Sequence, residues 1–426
     1  MFLYFLFYLF MLVSMIDVLH FGFFIVGANY YDIKEYKRTQ NKPKRSRGPK
    51  PLVTVLIPAH NEEKSIIRCL ESVRKSSYRK LQILVIDDAS TDNTRSLVYH
   101  YIAKYPTRNI HLLQKRTNVG KAGALNHALR RAAEGEFVMT LDADSVLGKQ
   151  SIAKAIAYFD NPNIVGVAAN VRVMDARSFL GMLQKFEYMI GYRSKKFYSV
   201  TNSEYIVGGV ASTYRRSVLK AVRYYDDDVI TEDIGLSLKV ISQGNRTNRL
   251  IYGADVTAMT EGVQTFSGLL RQRYRWKMGS LQSLLKYRQL TANRNRRYSR
   301  MLTYYRIPMA FLSEFLLLLE PLALAFVIYA SFRIMSPALF ASAYVTICLY
   351  LVWNLWPDEH TSFGQKCRLS AYIPFLYFAF YTMNVVQFSA MVRCLAHPKQ
   401  ILRKDGSAGS HWISPERADN PQVTFV

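Results

Sequence analysis

Four clusters in this chain have the residue types and the order needed for group transfer. Asp87-Asp88 and Asp142-Ala143-Asp144 each close a short apolar run. Thr231-Glu232-Asp233 opens a helical stretch, and Gln272-Arg273-Tyr274-Arg275-Trp276 lies within a basic one. Two carboxylates one residue apart at the end of a buried strand, Asp142 and Asp144, can offer oxygen ligands to Mg²⁺ or Mn²⁺. Such a cation neutralises charge on a departing diphosphate. Acids at a helix start have a plain explanation, because they complement the helix dipole. They can also serve as a general base that takes the proton of an attacking hydroxyl. Of Glu232 and Asp233 one suffices, and Asp233 is the preferred candidate.

The elements that must position these groups follow from the apolar pattern. Leu52 to Pro58 and Leu81 to Ile86 read as buried strands, and Lys64 to Lys75 reads as a helix with Asn61 as a plausible cap. Strand, helix, strand, helix implies a mostly parallel, Rossmann-like α/β sheet. Ligands bind such sheets beyond the carboxyl ends of the strands. His60, Asn61 and Glu62 lie there after the first strand, and Asp87 and Asp88 after the second. A carboxylate in that place can hydrogen-bond a base or ribose, and a turn or capping acid is the plainer reading. Neither G-x-G-x-x-G nor G-x-x-x-x-G-K-[ST] follows a strand, which argues against dinucleotide oxidoreductases and P-loop NTPases.

Asn118-Val119-Gly120-Lys121 pairs small residues with a point charge, suited to close approach by a phosphate; a loop entering a helix is the alternative. Phe137 to Leu141 is a further strand leading into Asp142. Gly208 and Gly209 mark close backbone approach to a ligand, an acceptor for instance, or a simple bulge. Phe266 to Leu285 reads as an amphipathic interface helix, with Phe179 to Ile190 as a second. Arg275 could clamp phosphate, and Trp276 could stack on a sugar face or sit in an aromatic belt.

Both ends of the 426-residue chain are apolar, whereas residues 50–300 have soluble character. Met1 to Ala28 would span roughly 42 Å as a helix, more than a ~30 Å hydrocarbon core. Cations begin at Lys34 and run to Lys50, which orients the amino terminus outside and the next domain in the cytoplasm. Three further apolar stretches follow, at 306–332, 338–356 and 371–394. Pro308, Glu314, Glu320 and Pro321 in the first fit a channel lining or a kinked, packed helix. Three such spans would put the tail outside, yet Arg393, Lys399, Arg403, Lys404 and Arg417 favour the cytoplasm. A re-entrant stretch is one resolution. The formal charge of +25 clusters beside the spans, as lipid headgroups favour, and no nucleic-acid motif accompanies it. Cys69, Cys348, Cys367 and Cys394 show no metal spacing and read as reduced thiols.

The ordered series Asp87-Asp88, Asp142-x-Asp144, Thr231-Glu232-Asp233 and Gln272-x-x-Arg275-Trp276 resembles the processive family-2 glycosyltransferases, and within them the poly-N-acetylglucosamine synthases. His397 to Arg403 and Trp412 to Arg417 resemble the carboxyl end of those synthases. Gly235, Leu238 and Lys277-Met278-Gly279 depart from their pattern, as does one amino-terminal span where two are usual.

The resemblance implies a GT-A fold, a UDP-sugar donor, a divalent metal and inverting transfer to β-linkages. It assigns Asp88 to the uridine, Lys121, Gln272 and Arg275 to the diphosphate, and Asp144 to the direct metal contact. Asp233 is then the base and Trp276 the acceptor platform. The expected layout is a span at 1–30, a basic linker at 31–50 and a GT-A domain at 51–262. Interface helices at 263–300, about three spans at 301–394 and a basic tail at 395–426 complete it. The expected partners are the UDP-sugar, the growing polysaccharide, the bilayer and a small membrane accessory subunit, with no nucleic acid. A non-processive transferase shares the nucleotide and metal sites, and a silent scaffold or sensor is the reading from another class.

Overall fold

The computed structural model describes residues 2–40, 49–174, 178–334 and 337–402. The basic residues Lys42 to Arg47 and the tail from Arg403, including Trp412 to Arg417, lie outside them.

Eight strands form one sheet in the order β3-β2-β1-β4-β7-β6-β8-β5. The first half is parallel: β1 (Val53–Ala59) pairs with β2 (Leu81–Asp87) and with β4 (Phe137–Thr140), and β2 pairs with β3 (Ile110–Gln114). β7 (Ser212–Arg215) is inserted antiparallel between β4 and β6 (Ile164–Val173). β6 runs parallel to β8 (Arg249–Thr260), and the short β5 (Val146–Leu147) is antiparallel at the edge. The sheet is thus mixed rather than uniformly parallel, and the switch to antiparallel pairing falls beside β4, the strand that leads into Asp142.

Every residue of β1 is buried, because helices cover both faces. Val53, Val55 and Ile57 pack with Ile66, Cys69, Leu70 and Val73 of α2 (Ile66–Arg74), and with Val98 and Tyr101 of α3 (Thr94–Lys104). Leu56, Leu84 and Ile86 point the other way, onto Ala124, Leu125 and Ala128 of α4 (Gly120–Arg131). α8 (Glu232–Ile241) adds Leu236 and Val240 to that second core. The alternation is the period-2 consequence of the pleat. α5 (Ser151–Tyr158), α6 (Phe179–Val200) and α7 (Arg216–Ala221) complete this half of the chain. Ser65, not Asn61, occupies the N-cap position of α2, so the expected cap is corrected.

α1 runs unbroken from Phe2 to Gln40. Its last turns, expected as linker, are docked on the sheet domain: the Tyr31 hydroxyl donates to the Tyr252 carbonyl at 2.7 Å, and Lys196 pairs with Asp32 at 2.5 Å. α9 (Phe266–Lys286) does not lie free at an interface. It is wedged between α8 and α12 (Phe363–Leu395), and Arg273 is on its buried side.

A π-helical turn, Met301–Arg306, leads into α10 (Ile307–Ile334), followed by α11 (Pro337–Leu355). Tyr8–Gln40 and Met301–Ala323 are long and apolar enough to cross a membrane. The expected third carboxyl-terminal span is instead a pair of segments, Phe363–Leu376 and Tyr381–Leu395, bent by 63°. Pro374, which removes one helical donor, lies just ahead of the break. Both ends of α12 rest on the sheet side. Before it, Arg172 of β6 grips Asp358 through two bonds of 2.8 and 2.7 Å. After it comes α13 (Pro398–Ile401), where Gln400 accepts from Tyr274 at 3.0 Å through its side chain and from Gln282 at 2.9 Å through its carbonyl.

Candidate active site

The carboxyl ends of β1 and β2 are laced together by polar side chains. The Asn61 N–H donates to Ser90 at 3.0 Å, and Asn61 Oδ1 accepts from the Thr91 N–H at 2.8 Å. The Glu62 N–H donates to Thr94 at 2.8 Å, and its buried carboxylate accepts from the Ser65 hydroxyl at 2.6 Å. His60 Nδ1 lies 2.8 Å from the Asp88 carbonyl. Asn61 and Ala89 hold left-handed φ values of 55° and 60°, which marks both loops as held rather than relaxed.

Asp87 and Asp88 divide the work. Asp87 is fully buried, accepts the Ser90 N–H at 3.1 Å and pairs with Arg95 at 2.9 Å. This is the turn-acid arrangement. Asp88 reaches across to the Asn118 loop and accepts the Val119 N–H at 3.0 Å. Burial pushes its carboxyl above the usual range, against the pull of the Val119 and Gly120 amides. Asn118 accepts the Gly120 N–H at 2.9 Å, and Gly120 takes φ 73°, a conformation that glycine reaches without strain. That turn starts α4 and sets Lys121 on its first turn.

Lys121 is the hub. Its ammonium lies 2.6 Å from Asp142 and 2.9 Å from Glu232, so the end of β4 and the start of α8 meet on one cation. Burial alone would lower its pKa, but Asp142, Glu232 and Asp233 outweigh that and hold it well above the ordinary value. Asp233 accepts the Gly209 N–H at 2.9 Å and its own helix's Ile234 N–H at 2.8 Å. Burial and the neighbouring Glu232 push it up to about 6, with Lys121 pulling the other way. Gly209 is confined: a Cβ there would stand 2.7 Å from the Lys121 ammonium. At Gly208 a Cβ would meet only ordinary contacts. Residues 203–208 are not a strand, which removes the bulge reading of this pair.

Among the described residues no cluster of three or more His, Cys, Asp or Glu is arranged to hold a metal. Asp142 and Asp144 fit a hard cation in another way. Both are half-exposed oxygen donors at a strand end, beside a lysine that already neutralises one of them. Mg²⁺ and Mn²⁺ sites at diphosphates use one or two carboxylates and fill the remaining positions with phosphate oxygens and water.

α9 packs against the start of α8. Gln272, Arg275, Trp276 and Gly279 recur at the i, i+3, i+4, i+7 spacing of one helix stripe. Gly279 presses directly on Thr231, where a Cβ would come within 2.7 Å of the backbone nitrogen. Gln282 accepts the Ile230 N–H at 2.9 Å. The stripe therefore faces the Thr231-Glu232-Asp233 segment. Gln272 Oε1 is buried without a hydrogen-bond partner among the described residues, Arg275 is exposed, and Trp276 is half-buried.

Residues 54–223 match the profile described as glycosyl transferase family 2. The chain carries a family-2 glycosyltransferase domain. It is 28% identical over 414 residues to a poly-β-1,6-N-acetyl-D-glucosamine synthase of Staphylococcus epidermidis, covering 93% of this chain and 95% of that one. It is 32% identical over 272 residues to the Staphylococcus aureus protein of the same name, covering 62% and 63%. Among solved structures it is similar to a mannosyltransferase from Pyrobaculum calidifontis in complex with GDP-Man and Mn²⁺. That similarity has a TM-score of 0.58 at 23% identity and covers 91% of this chain and 98% of the other. The family-2 domain has the GT-A fold.

Several residues that matter geometrically carry no motif in the sequence. Burial pushes the Tyr225 hydroxyl up, with Glu232 and Asp233 adding to the rise and Lys121 pulling the other way. The Thr140 hydroxyl donates to the Gly209 carbonyl at 3.0 Å and fixes the loop that carries it. Gly279 had one available signal, its seven-residue spacing from Gln272. Asp226 and Asp228, near Glu232 and Asp233 in sequence, are bound instead by Lys286 at 2.7 and 2.6 Å.

Proposed function

We propose that this chain is a membrane-embedded synthase that polymerises UDP-N-acetylglucosamine into a β-linked polysaccharide and passes the product outward. The observation that carries the reading is the convergence of Asp142, Lys121, Glu232 and Asp233 under the Gln272-Arg275-Trp276 stripe. The similarity to a poly-β-1,6-N-acetyl-D-glucosamine synthase along nearly the whole chain supports N-acetylglucosamine as the sugar.

The donor lies across the strand ends, its base and ribose toward Asp88 and its diphosphate toward Lys121, Gln272 and Arg275. Asp142 and Asp144 would hold a divalent cation, which when bound neutralises the departing diphosphate. The acceptor sugar stacks on Trp276, an aromatic face suited to a pyranose ring. Asp233, fixed by the Gly209 and Ile234 amides, takes the proton of the acceptor hydroxyl as its oxygen bonds to the anomeric carbon. The bond from that carbon to the diphosphate breaks, UDP leaves, and in-line attack inverts the anomeric centre. A positioned base of this kind is worth about 10²–10⁴ in rate.

The contacts of both ends of α12 with the sheet domain support a re-entrant arrangement. α1 enters from outside, α10 leaves, α11 returns, and α12 dips and comes back to its starting side. The catalytic domain and carboxyl terminus then share the cytoplasm, which agrees with the basic tail. Release of UDP from UDP-N-acetylglucosamine by protein purified in detergent with Mg²⁺ or Mn²⁺ tests the reading. A product of one added sugar would favour the non-processive alternative.

A further inference from the structure

Arg273 and Tyr274 are the residues of the Gln272–Trp276 segment that the proposed transfer leaves unused, and Arg273 is physically the more unusual. Its side chain is only 5% exposed, on a helix otherwise rich in solvent-facing cations. Burying a guanidinium is costly unless it is paired. The pairing comes from another element: Glu187 of α6 accepts from Arg273 Nη2 at 2.6 Å. Arg273 Nε has no hydrogen-bond partner among the described residues. What the guanidinium does meet is an aromatic face. Its carbon sits 4.1 Å from the centroid of the Trp276 ring, one helical turn further along α9.

Stacking on one face of an indole leaves the opposite face available. A cation–π contact of this kind fixes ring orientation as well as contributing energy, most strongly where solvent is excluded. An arginine alone on α9 could adopt other rotamers, and the carboxylate on a separate helix selects one. Glu187 lies next to Tyr188, whose hydroxyl feels Arg273, Asp144 and Asp142. The pair therefore borders the reaction centre rather than a remote seam. Lys277 on the next position of α9 is engaged elsewhere, with Glu314 of α10 at 2.7 Å.

We infer that Glu187 and Arg273 are positioning residues for the acceptor: Glu187 holds the Arg273 guanidinium flat against Trp276, so that the free indole face is presented to the acceptor sugar. The inference rests on the proposed role of Trp276 and deepens it. An interhelical staple with no such role would support folding alone and would leave the balance between acceptor and donor unchanged.

The test uses the full chain in detergent, UDP-N-acetylglucosamine as donor and a short β-linked N-acetylglucosamine oligomer as acceptor. Glu187→Gln should raise the KM for the oligomer about tenfold and leave the donor KM within about twofold. Glu187→Asp should recover much of the loss. Arg273→Lys keeps the charge but not the planar stacking, so it should behave like Glu187→Gln; it also serves if the first variant does not fold. An unchanged oligomer KM, or equal rises in both KM values, overturns the inference. If the unmodified protein releases no UDP, the proposed function falls, and the clamp is judged by fluorescence. With the Trp276→Phe protein as blank, Glu187→Gln should shift the Trp276 emission, and an unshifted emission overturns it.

Discussion

Asp233 accepts a hydrogen bond from the backbone N–H of Gly209 at 2.9 Å, and this contact ties the proposed base to the glycine loop. Burial and Glu232 raise Asp233 to about 6, whereas Lys121 opposes them and Asp142 adds to the rise. The base acts only when ionised. Transfer should therefore fall as pH drops through about 6, while an unshifted aspartate would stay ionised to about pH 4. A profile of kcat/KM from pH 5 to 8 reads this directly, and a flat profile down to pH 5 would contradict it.

Asp233→Asn removes the proton acceptor but keeps the shape and can still accept the Gly209 amide. Transfer should drop by about 10²–10⁴. Binding of UDP-sugar, followed by calorimetry, should stay near that of the unmodified protein. Retained transfer moves the base to another group.

Lys121 pairs with both Asp142 and Glu232. Replacing it with methionine leaves those acids uncompensated beside Asp233, which raises the Asp233 pKa further. The acid limb of the pH profile should move to higher pH, in addition to a loss of donor affinity. A lower limb, or an unmoved one, would show that the ammonium does not sit among these acids in the working enzyme.

Gly209→Ala and Gly279→Ala should each damage the site without touching a reacting group. The first sets a methyl 2.7 Å from the Lys121 ammonium, which two acids hold in place. The second drives one into the backbone of Thr231. Rate losses on the order of 100-fold are expected, the scale on which a misplacement of about 1 Å acts. Overpacking at Gly279 should also cost about 1–3 kcal/mol of stability, read from a melting curve. Gly208→Ala, which meets only ordinary contacts, is the internal control for Gly209.

A cysteine appended at the carboxyl terminus should resist an impermeant maleimide in intact cells, and one at Phe2 should react. Labelling of both would mean that α12 crosses the bilayer.

The strand ends were legible because apolar runs and the acids that close them are local features. Asp142, Asp144 and Asp233 could be picked out on that basis, and the structure gathers the first and last of them around Lys121. Tertiary lacing was not legible. Nothing local reveals that Asp87 binds Arg95 while its neighbour Asp88 holds the Asn118 loop. The register of α9 was visible in its apolar face, but the buried Arg273 was not, since its partner Glu187 is 86 residues away. The basic stretch after Ala28 looked like a linker because its charges are dense. The helix continues into it as far as Gln40, and Tyr31 and Asp32 find partners on the sheet domain.

The central claim is most directly tested by supplying purified full-length protein with UDP-N-acetylglucosamine and Mg²⁺ or Mn²⁺, then measuring UDP release and the mass of the product. UDP release that stops on chelation and returns with the metal is expected, together with a ladder of N-acetylglucosamine units. Absence of UDP release with this donor, in protein that is folded and binds the metal, would contradict it.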